Sequence, residues 1–288
     1  MKKLRYFMCS LLALLIFMPT VAYADIGPKP SVRLKLSGIP ERTCYVTLLS
    51  RDESTGPYSV SSDPIWEDSW LVEDDRETGM EAWQAFRDYH DPDGYYFIEY
   101  FEKCEKDEDF LWDYFPPENF KVLIYLPESE MFLTSGVAER YAFDSCFSVH
   151  AKNMLELRVR KDYQYGWELI SLAARIVATI LLEVLIALLF HLWNKRILMG
   201  IFLTNVLTQI LLNVLLNVIN YHSGSWAFMF HYIWMELAVF AIEALVYKFL
   251  FTKNGVESPY KWLTYAATAN ALSFAAGLAL ARMIPGIF

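Results

Sequence analysis

Four long apolar stretches in the C-terminal half place the strongest constraint on how this chain can fold. A helix needs about 20 consecutive apolar residues to cross the roughly 30 Å of hydrocarbon in a bilayer. Each stretch reaches that length, so the sequence predicts a membrane protein with a four-helix transmembrane domain over residues 166–288. The predicted spans are approximately Trp167–Phe190, Ile197–Ile219, Ala227–Leu250 and Trp262–Ile284.

The basic residues between the spans predict their orientation. Lys195 and Arg196 lie in the first linker, Lys253 and Lys261 lie in the third, and the second linker, Asn220–Trp226, has neither Lys nor Arg. Because Lys and Arg concentrate in cytoplasmic loops, the first and third linkers are predicted to be cytoplasmic. We therefore expect a multi-pass protein of the cell membrane whose N-terminal domain and C-terminus are both extracytoplasmic.

The N-terminus has the order of a secretory signal peptide. Three basic residues within the first five positions precede an apolar run, Phe7–Phe17, and a small-residue site follows at Ala22-Tyr23-Ala24. A run of about a dozen residues is too short to span a bilayer as a helix, which favours cleavage after Ala24 over an uncleaved anchor. Residues 1–24 are thus predicted to be a signal peptide, and residues 25–165 an extracytoplasmic domain.

This extracytoplasmic domain is acidic and predicted to be rich in β-strands. Residues 25–166 carry 29 acidic and 15 basic side chains, which argues against nucleic-acid binding because phosphates need a basic surface. Alternating apolar segments bounded by Gly and Pro turns predict a β-sandwich or an α+β fold, with a short helix near Glu81–Tyr89. The predicted strands are Ser31–Ser37, Thr43–Ser50, Tyr95–Phe101, Phe120–Leu126, Met131–Ser135 and Tyr141–His150.

Three cysteines remain after signal cleavage, and an odd number leaves their pairing open. Cys44 and Cys146 fall within predicted strands, whereas Cys104 falls in an acidic segment, residues 102–109, that is predicted to be a loop. A Cys44–Cys146 disulfide is the first expectation, and three thiols without a disulfide are the alternative. The acidic segment is predicted to be a solvated surface rather than a calcium loop, so no metal and no cofactor is expected.

Polar side chains inside the predicted spans point to an internal cluster. An ionisable residue at this depth by default faces the bundle interior. At a rise of about 1.5 Å per residue, Glu183 and Glu243 fall at a similar depth on the cytoplasmic side of the span centres, and Asn205 and Asn270 fall close to them. We expect these two carboxylates and two amides, one from each span, to form one polar cluster.

Further polar residues accompany this cluster. Arg175 and Glu236 lie on the outer side of the span centres, where they are candidates for an ion pair. A supporting polar face is predicted from one amide every fourth residue of the second span and from a serine in the fourth: Gln209, Asn213, Asn217 and Ser273. Such amides also serve simply to hold helices together, at about 0.6 kcal/mol for each hydrogen bond, without any transported ligand.

The common catalytic motifs are missing from the sequence. It contains no Gly-rich phosphate loop, no His-Glu-x-x-His zinc helix and no Gly-x-Ser-x-Gly elbow. No catalytic residue is therefore predicted, and an intramembrane enzyme is the weakest of the possible functions.

Several short segments resemble a family of bacterial membrane proteins. They include Asp25–Ser31, Glu139–Ser145, Asn220-Tyr221 with Ser223–Trp226, and the run from Asn270 to Gly277 with Arg282. The family, mostly from Gram-positive anaerobes, has a signal peptide, an extracytoplasmic domain and four transmembrane helices, and no established activity. The resemblance implies this architecture and a bacterial cell membrane, and it implies no mechanism.

Two classes of function follow from these expectations. In the first, the protein is a sensor or accessory subunit whose extracytoplasmic domain binds a ligand or protein, while the helices contact lipid and another membrane protein. In the second, the chain is a small transporter or channel, working as a homo-oligomer because four helices enclose little space, with the Glu/Asn cluster as its site.

Overall fold

The computed structural model describes residues 28–40, 43–52, 76–105, 108–113, 115–153, 156–163, 165–256 and 260–283. The described residues form two compact units, a β unit over Pro28–Tyr163 and a helical unit whose described part begins at Tyr165. The division lies next to the predicted domain boundary. The predicted signal peptide, residues 1–24, lies outside the described residues.

The β unit is one curled sheet of ten strands in the described ranges. Its longest path runs β3-β2-β6-β7-β10-β9-β1-β5, with β4 added to β2 and β8 added to β6. Pairing is antiparallel except for β1 with β9 and β7 with β10. The strands are β1 (Ser31–Ser37), β2 (Thr43–Ser50), β3 (Tyr96–Phe97), β4 (Glu102–Glu105), β5 (Asp109–Trp112), β6 (Asn119–Leu126), β7 (Met131–Ser135), β8 (Ala138–Glu139), β9 (Asp144–Asn153) and β10 (Glu156–Lys161).

Side chains from both ends of the strand path share one core, which shows how strongly the sheet curls. Val46 of β2, Trp112 of β5, Val122 of β6 and Phe147 of β9 belong to the same buried cluster. The opposite face of β2 and β6 is covered by helix α1 (Arg76–Asp88), whose Phe86 packs among aromatic residues. Because both faces of β2 and β6 are covered, nearly every residue in these two strands is buried.

The β-rich character predicted for this region is confirmed, and its fold is one curled sheet with a helix rather than a two-sheet sandwich. The predicted strands at Ser31–Ser37, Thr43–Ser50 and Met131–Ser135 have the observed bounds. The prediction of a loop over residues 102–109 is wrong, because Glu102–Glu105 form β4 and Asp109 begins β5, whereas Lys103, Glu108 and Asp109 are exposed, as predicted for a solvated charged surface. Within β4, the side chain of Cys104 enters the core between charged neighbours.

Within the described residues, the helical unit contains three helices, and the second is sharply kinked, so that it supplies two of the four helical segments. They are α2 (Tyr165–Leu189), α3 (Lys195–Lys253) and α4 (Lys261–Met283). Gly224 interrupts α3 with φ 79° and ψ 176°, a backbone conformation open to glycine and costly for other residues. We call residues 195–223 arm A and residues 225–253 arm B. A hydrogen bond between Asn205 and Tyr247, 42 residues apart, shows that the two arms fold back on one another.

The helical segments match the four predicted apolar stretches, but their apolarity differs. Among the described residues, α2 and α3 are long and apolar enough to cross a membrane. Helix α4 is less apolar because alanine, threonine, asparagine and serine make up much of its sequence. Large apolar side chains are exposed along much of the unit, for example Leu181, Leu207 and Phe230.

Candidate functional site: a closed polar cluster between the helices

The structure brings Glu183, Asn205, Glu243 and Asn270 together inside the helical unit. They come from α2, arm A, arm B and α4 respectively, so each helical segment contributes one side chain. Their exposed fractions are 1%, 0%, 0% and 8%. The spacing that placed them at one depth in the sequence thus corresponds to one buried cluster.

Glu243 is held by two neutral donors. The hydroxyl of Thr208 donates to Oε1 of Glu243 at 2.7 Å, and the Nδ2 group of Asn270 donates to Oε2 at 2.8 Å. Asn270 also donates to the backbone oxygen of Ala266, one turn earlier in α4. Both carboxyl oxygens of Glu243 are therefore paired without a basic side chain.

Glu183 reaches the other members of the cluster through Tyr247. The Tyr247 hydroxyl donates to Oε2 of Glu183 at 3.3 Å and accepts from Nδ2 of Asn205 at 2.9 Å. The backbone oxygen of Glu183 accepts from the hydroxyl of Tyr265 at 3.2 Å. Tyr247 is fully buried, and its position between Glu183 and Asn205 makes it the centre of this part of the network.

Apolar packing closes the cluster. Ile186, Ile201, Ala244 and Ala269 lie next to its members along the four helical segments and are themselves buried. The cluster is therefore an enclosed polar site within the chain, in which hydrogen bonds are stronger than in water because the local dielectric constant is low.

Two buried oxygens of the cluster have no hydrogen-bond donor. They are Oε1 of Glu183 and Oδ1 of Asn205. Unsatisfied buried acceptors are rare and costly in native proteins, so each calls for a physical explanation.

A second polar group lies around a small pocket of the helical unit. The Tyr232 hydroxyl is within hydrogen-bonding reach of both Arg175 and Glu236, the two residues proposed from sequence as an ion pair. The guanidinium of Arg175 also lies over the Tyr232 ring, 5.8 Å from its centroid. Thr179, Gln209 and Ser273 complete the polar part of the lining. The structure thus places Tyr232 between the two charged groups.

The predicted supporting polar face is only partly internal. Asn213 donates to the backbone oxygen of Gln209 at 2.7 Å, and both side chains are buried. Ser273 donates to the backbone oxygen of Asn270 at 3.2 Å. Asn217, at the end of the series, is exposed. A helix turns about 100° per residue, so a spacing of four drifts around the axis and carries the last amide out of the interior.

The expected Cys44–Cys146 disulfide does not form, and the strand register gives the reason. Cys146 alternates with the core residues Phe147 and Val149 of β9, so its side chain is directed away from the core in which Cys44 is buried. Cys44 instead lies directly opposite Cys104 in the β2–β4 pair. Burial raises the pKa of the Cys104 and Cys146 thiols, which disfavours their reactive thiolate forms.

The β unit contains a charged group that the sequence did not reveal. Lys121 of β6 is 4% exposed and its ammonium group binds Asp91 at 2.7 Å and Asp93 at 2.5 Å. The hydrogen bond from Lys121 lowers the pKa of Asp93. Burial acts to lower the pKa of Lys121, but its hydrogen bonds to the two aspartates outweigh that effect and raise it. These bonds hold the Asp-Pro-Asp-Gly turn, residues 91–94, against the sheet.

Tyr247, Tyr265 and Thr208 were missed as members of the polar cluster. A signal for two of them existed, since Tyr247 is four residues after Glu243 and Thr208 is three residues after Asn205. Residues at these spacings share a helix face. Among the described residues, no group of three or more His, Cys, Asp or Glu side chains is arranged to hold a metal ion.

Comparisons with protein-family models, with curated proteins and with solved structures find no match to this chain. The resemblance to a bacterial membrane family therefore stays a prediction, and the function is argued from the geometry of the two units.

Proposed function

We propose that this chain is a polytopic membrane protein that acts as a sensor or accessory subunit. In this proposal the four helical segments span the cell membrane, and the β unit lies outside the cytoplasm, where it binds a ligand or a protein. The helical unit holds the β unit at the membrane and docks against another membrane protein.

The closed packing of the polar cluster is the observation that carries this proposal. A conduit needs polar groups along a path that reaches both sides of the membrane. Glu183, Asn205 and Glu243 are instead at most 1% exposed, and they are surrounded by apolar side chains. Such a cluster favours a role in holding the four segments together over a role in conduction.

The outward surface of the helical unit supports its placement in lipid. Of the large apolar side chains that are exposed in the described residues, all but Met80, Phe115 and Val137 lie between Tyr165 and Leu272. Soluble monomers rarely expose a continuous apolar surface of that extent, whereas lipid or another membrane helix would cover it.

A position-specific cross-linking experiment tests the docking role. A photoreactive amino acid at Leu207, which is 69% exposed, should give one discrete protein adduct in cells, and the same group at the buried Phe251 should give none. Adducts with lipid alone at Leu207 and at other exposed positions of both arms would contradict docking to a protein partner.

A small oligomeric transporter or channel is the second candidate. It is favoured by one observation, the presence of two carboxylates within an apolar helical unit, because such residues often mark ion pathways. The full-length chain in proteoliposomes should show no ion flux if the first proposal is right. A flux that is lost in Glu183→Gln and retained in the exposed control Glu130→Gln would favour transport instead.

A further inference from the structure

We infer that the polar cluster is a proton-binding site in which Glu183 carries a proton on Oε1 and donates it to Oδ1 of Asn205. This assignment goes beyond the proposed function, because it concerns the cluster alone and holds whether the protein docks a partner or moves an ion.

The count of donor hydrogens in the cluster leads to this assignment. Both hydrogens of the Asn205 amide are used, one by the backbone oxygen of Ile201 at 3.0 Å and one by the hydroxyl of Tyr247. The Tyr247 hydroxyl has a single hydrogen and lies within reach of both carboxyl groups; its hydrogen bond to Oε2 of Glu183 is 3.3 Å long, and Glu243 already has Thr208 and Asn270 as donors. Thr208 and Asn270 donate to Glu243, and their other acceptors are backbone oxygens.

The remaining acceptors are the two oxygens without a donor, Oε1 of Glu183 and Oδ1 of Asn205. Their side chains adjoin, since the Asn205 amide lies within hydrogen-bonding reach of the Glu183 carboxyl and both contact Tyr247. One proton placed between these two oxygens satisfies both of them at once.

Turning over the Asn205 amide is the obvious competing solution, and it fails on geometry. It would bring the amide oxygen to about the 3.0 Å that now separates Nδ2 from the backbone oxygen of Ile201. Two acceptors would then face each other there, and the Tyr247 hydroxyl could donate to the turned amide oxygen only by giving up Oε2 of Glu183. The flip exchanges one unsatisfied oxygen for another.

Charge balance points the same way. The ionisable side chains that act on Glu183 are Glu243 and Glu236 from arm B and the hydroxyl of Tyr247, with Tyr265 of α4 beside its backbone oxygen. None of these is a cation. Two carboxylates that share an enclosed site without a basic partner cannot both be charged at tolerable cost, and one bound proton removes the repulsion.

Infrared spectroscopy of the purified full-length chain in detergent tests the assignment. The C=O stretch of a protonated carboxylic acid is resolved from carboxylate and amide bands. We expect this band at neutral pH in the parent protein, its loss in Glu183→Gln, and its retention in Glu243→Gln and in the exposed control Glu130→Gln. Absence of the band from the parent, or its retention in Glu183→Gln together with loss in Glu243→Gln, would overturn the assignment.

A second variant covers the case in which Glu183→Gln does not fold. Asn205→Leu keeps the carboxylic acid and removes the oxygen that accepts its proton. The band should then move to higher frequency, because a C=O group of a less strongly hydrogen-bonded acid is stiffer. An unmoved band would show that Asn205 is not the acceptor. A band that disappears on addition of sodium ions would show a metal ion bound in place of the proton, and would also overturn the assignment.

The register of the β unit independently carries a second inference: we propose that Cys44 and Cys104 form a cross-strand disulfide in the mature protein. They are directly opposite each other in an antiparallel pair, so their side chains lie on the same face. Cα atoms of such pairs are about 4.5–5.5 Å apart, within the range that a disulfide spans. The Sγ atom of Cys44 lies 3.5 Å from the backbone oxygen of Cys104.

The reaction joins the two thiols and releases two protons and two electrons. The electrons would go to the disulfide of an extracytoplasmic thiol oxidoreductase, which is reduced to its dithiol. Both cysteines are 2% exposed in the folded unit, so the bond has to form while the β2–β4 pair is still accessible during folding. Location outside the cytoplasm belongs to the proposed function, and the bond in cells depends on it.

Peptide mapping tests the disulfide. Protein isolated with its thiols blocked should yield one reducible peptide pair containing Cys44 and Cys104, with Cys146 recovered as a blocked thiol. Blocked thiols at all three positions after refolding with oxidised glutathione would overturn the proposal. A bond that forms on refolding, but not in cells, would retain the geometry and contradict the extracytoplasmic location instead.

Discussion

The two units bury carboxylates in opposite ways. In the β unit, the side chain of Asp91 is fully buried and is neutralised by a buried cation, Lys121. In the helical unit, Glu243 is also fully buried, but its partners are the neutral donors Thr208 and Asn270. This difference indicates that the two units are adapted to different surroundings.

The buried ion pair of the β unit depends on nearby water. Asp93, the second partner of Lys121, is 62% exposed, so the buried ammonium group is one side chain away from solvent. In the membrane placement that we propose, a cation in the helical cluster would have to cross or remain within lipid, where a basic residue costs about 2.5–3.5 kcal/mol on insertion scales. Amide and hydroxyl donors avoid that cost, and they fit a unit whose exposed side chains are largely apolar.

The largest expected effect is the loss of Lys121. Lys121→Met leaves Asp91 as a buried charge without its cation, and breaking a buried pair in this way costs about 3–5 kcal/mol. Hydrogen exchange of peptides from β2 and β6 in increasing urea should show this loss of stability within the β unit. Unchanged exchange in those peptides would mean that the ion pair does not hold the turn and the sheet together.

A smaller loss of stability is expected when a buried charged side chain of the helical unit is replaced by an apolar one. Glu243→Leu removes two hydrogen bonds to neutral partners, each worth about 0.6 kcal/mol and at most ~1.7 kcal/mol in a membrane protein. The helical unit should lose about 1–2 kcal/mol in thermal unfolding followed by circular dichroism. Glu243→Gln is the matched control and should lose less than half as much, since it keeps one acceptor. A Leu variant as stable as the parent would remove the distinction between the two units.

Acid should act on the β unit through Asp93. Its pKa is lowered in the folded state by the hydrogen bond from Lys121, so its stabilising effect is present above the unfolded pKa, about 3.9, and is lost as the pH falls through the folded pKa. Unfolding of the β unit in urea should therefore become easier below about pH 4. Asp93→Asn should show a weaker pH dependence in that window, and an unaltered profile would contradict the linkage.

The smallest effect is expected at the exposed ion pair of the β unit. Lys35 and Asp162 are 2.8 Å apart, but their side chains are 41% and 32% exposed. Lys35→Met should cost less than about 1 kcal/mol, because solvent screens such pairs. It is the matched control for Lys121→Met, and similar losses in both variants would show that burial does not decide the strength of these pairs.

The sequence predicted the helical cluster better than it predicted the β unit. Helical spacing and depth along the spans are local properties, so Glu183, Asn205, Glu243 and Asn270 could be placed together without knowing their contacts. Tyr247 could not be given its bridging role, because that role depends on how arm A and arm B are aligned across the kink at Gly224.

In the β unit, pairing between distant strands decides the outcome. Cys104 lies in a segment so rich in charge that a loop was expected. The segment instead pairs with β2 as strand β4, and Cys104 is buried opposite Cys44. Lys121 has no local signal at all, since its partners are 28 and 30 residues away in a turn. Register between strands is a long-range property, and one sequence does not reveal it.

Membrane topology tests the central claim most directly, and thiol labelling of intact and permeabilised cells measures it. A Cys146→Ser parent keeps only the buried Cys44 and Cys104 in the described residues. One exposed cysteine can be added to it at each of three positions in turn, Glu130→Cys in the β unit, Ser223→Cys beside the kink and Thr252→Cys near the end of arm B. The account predicts that a membrane-impermeant maleimide labels the first two in intact cells and the third only after permeabilisation. Labelling of Thr252→Cys together with Glu130→Cys in intact cells, or protection of Ser223→Cys there, would contradict it.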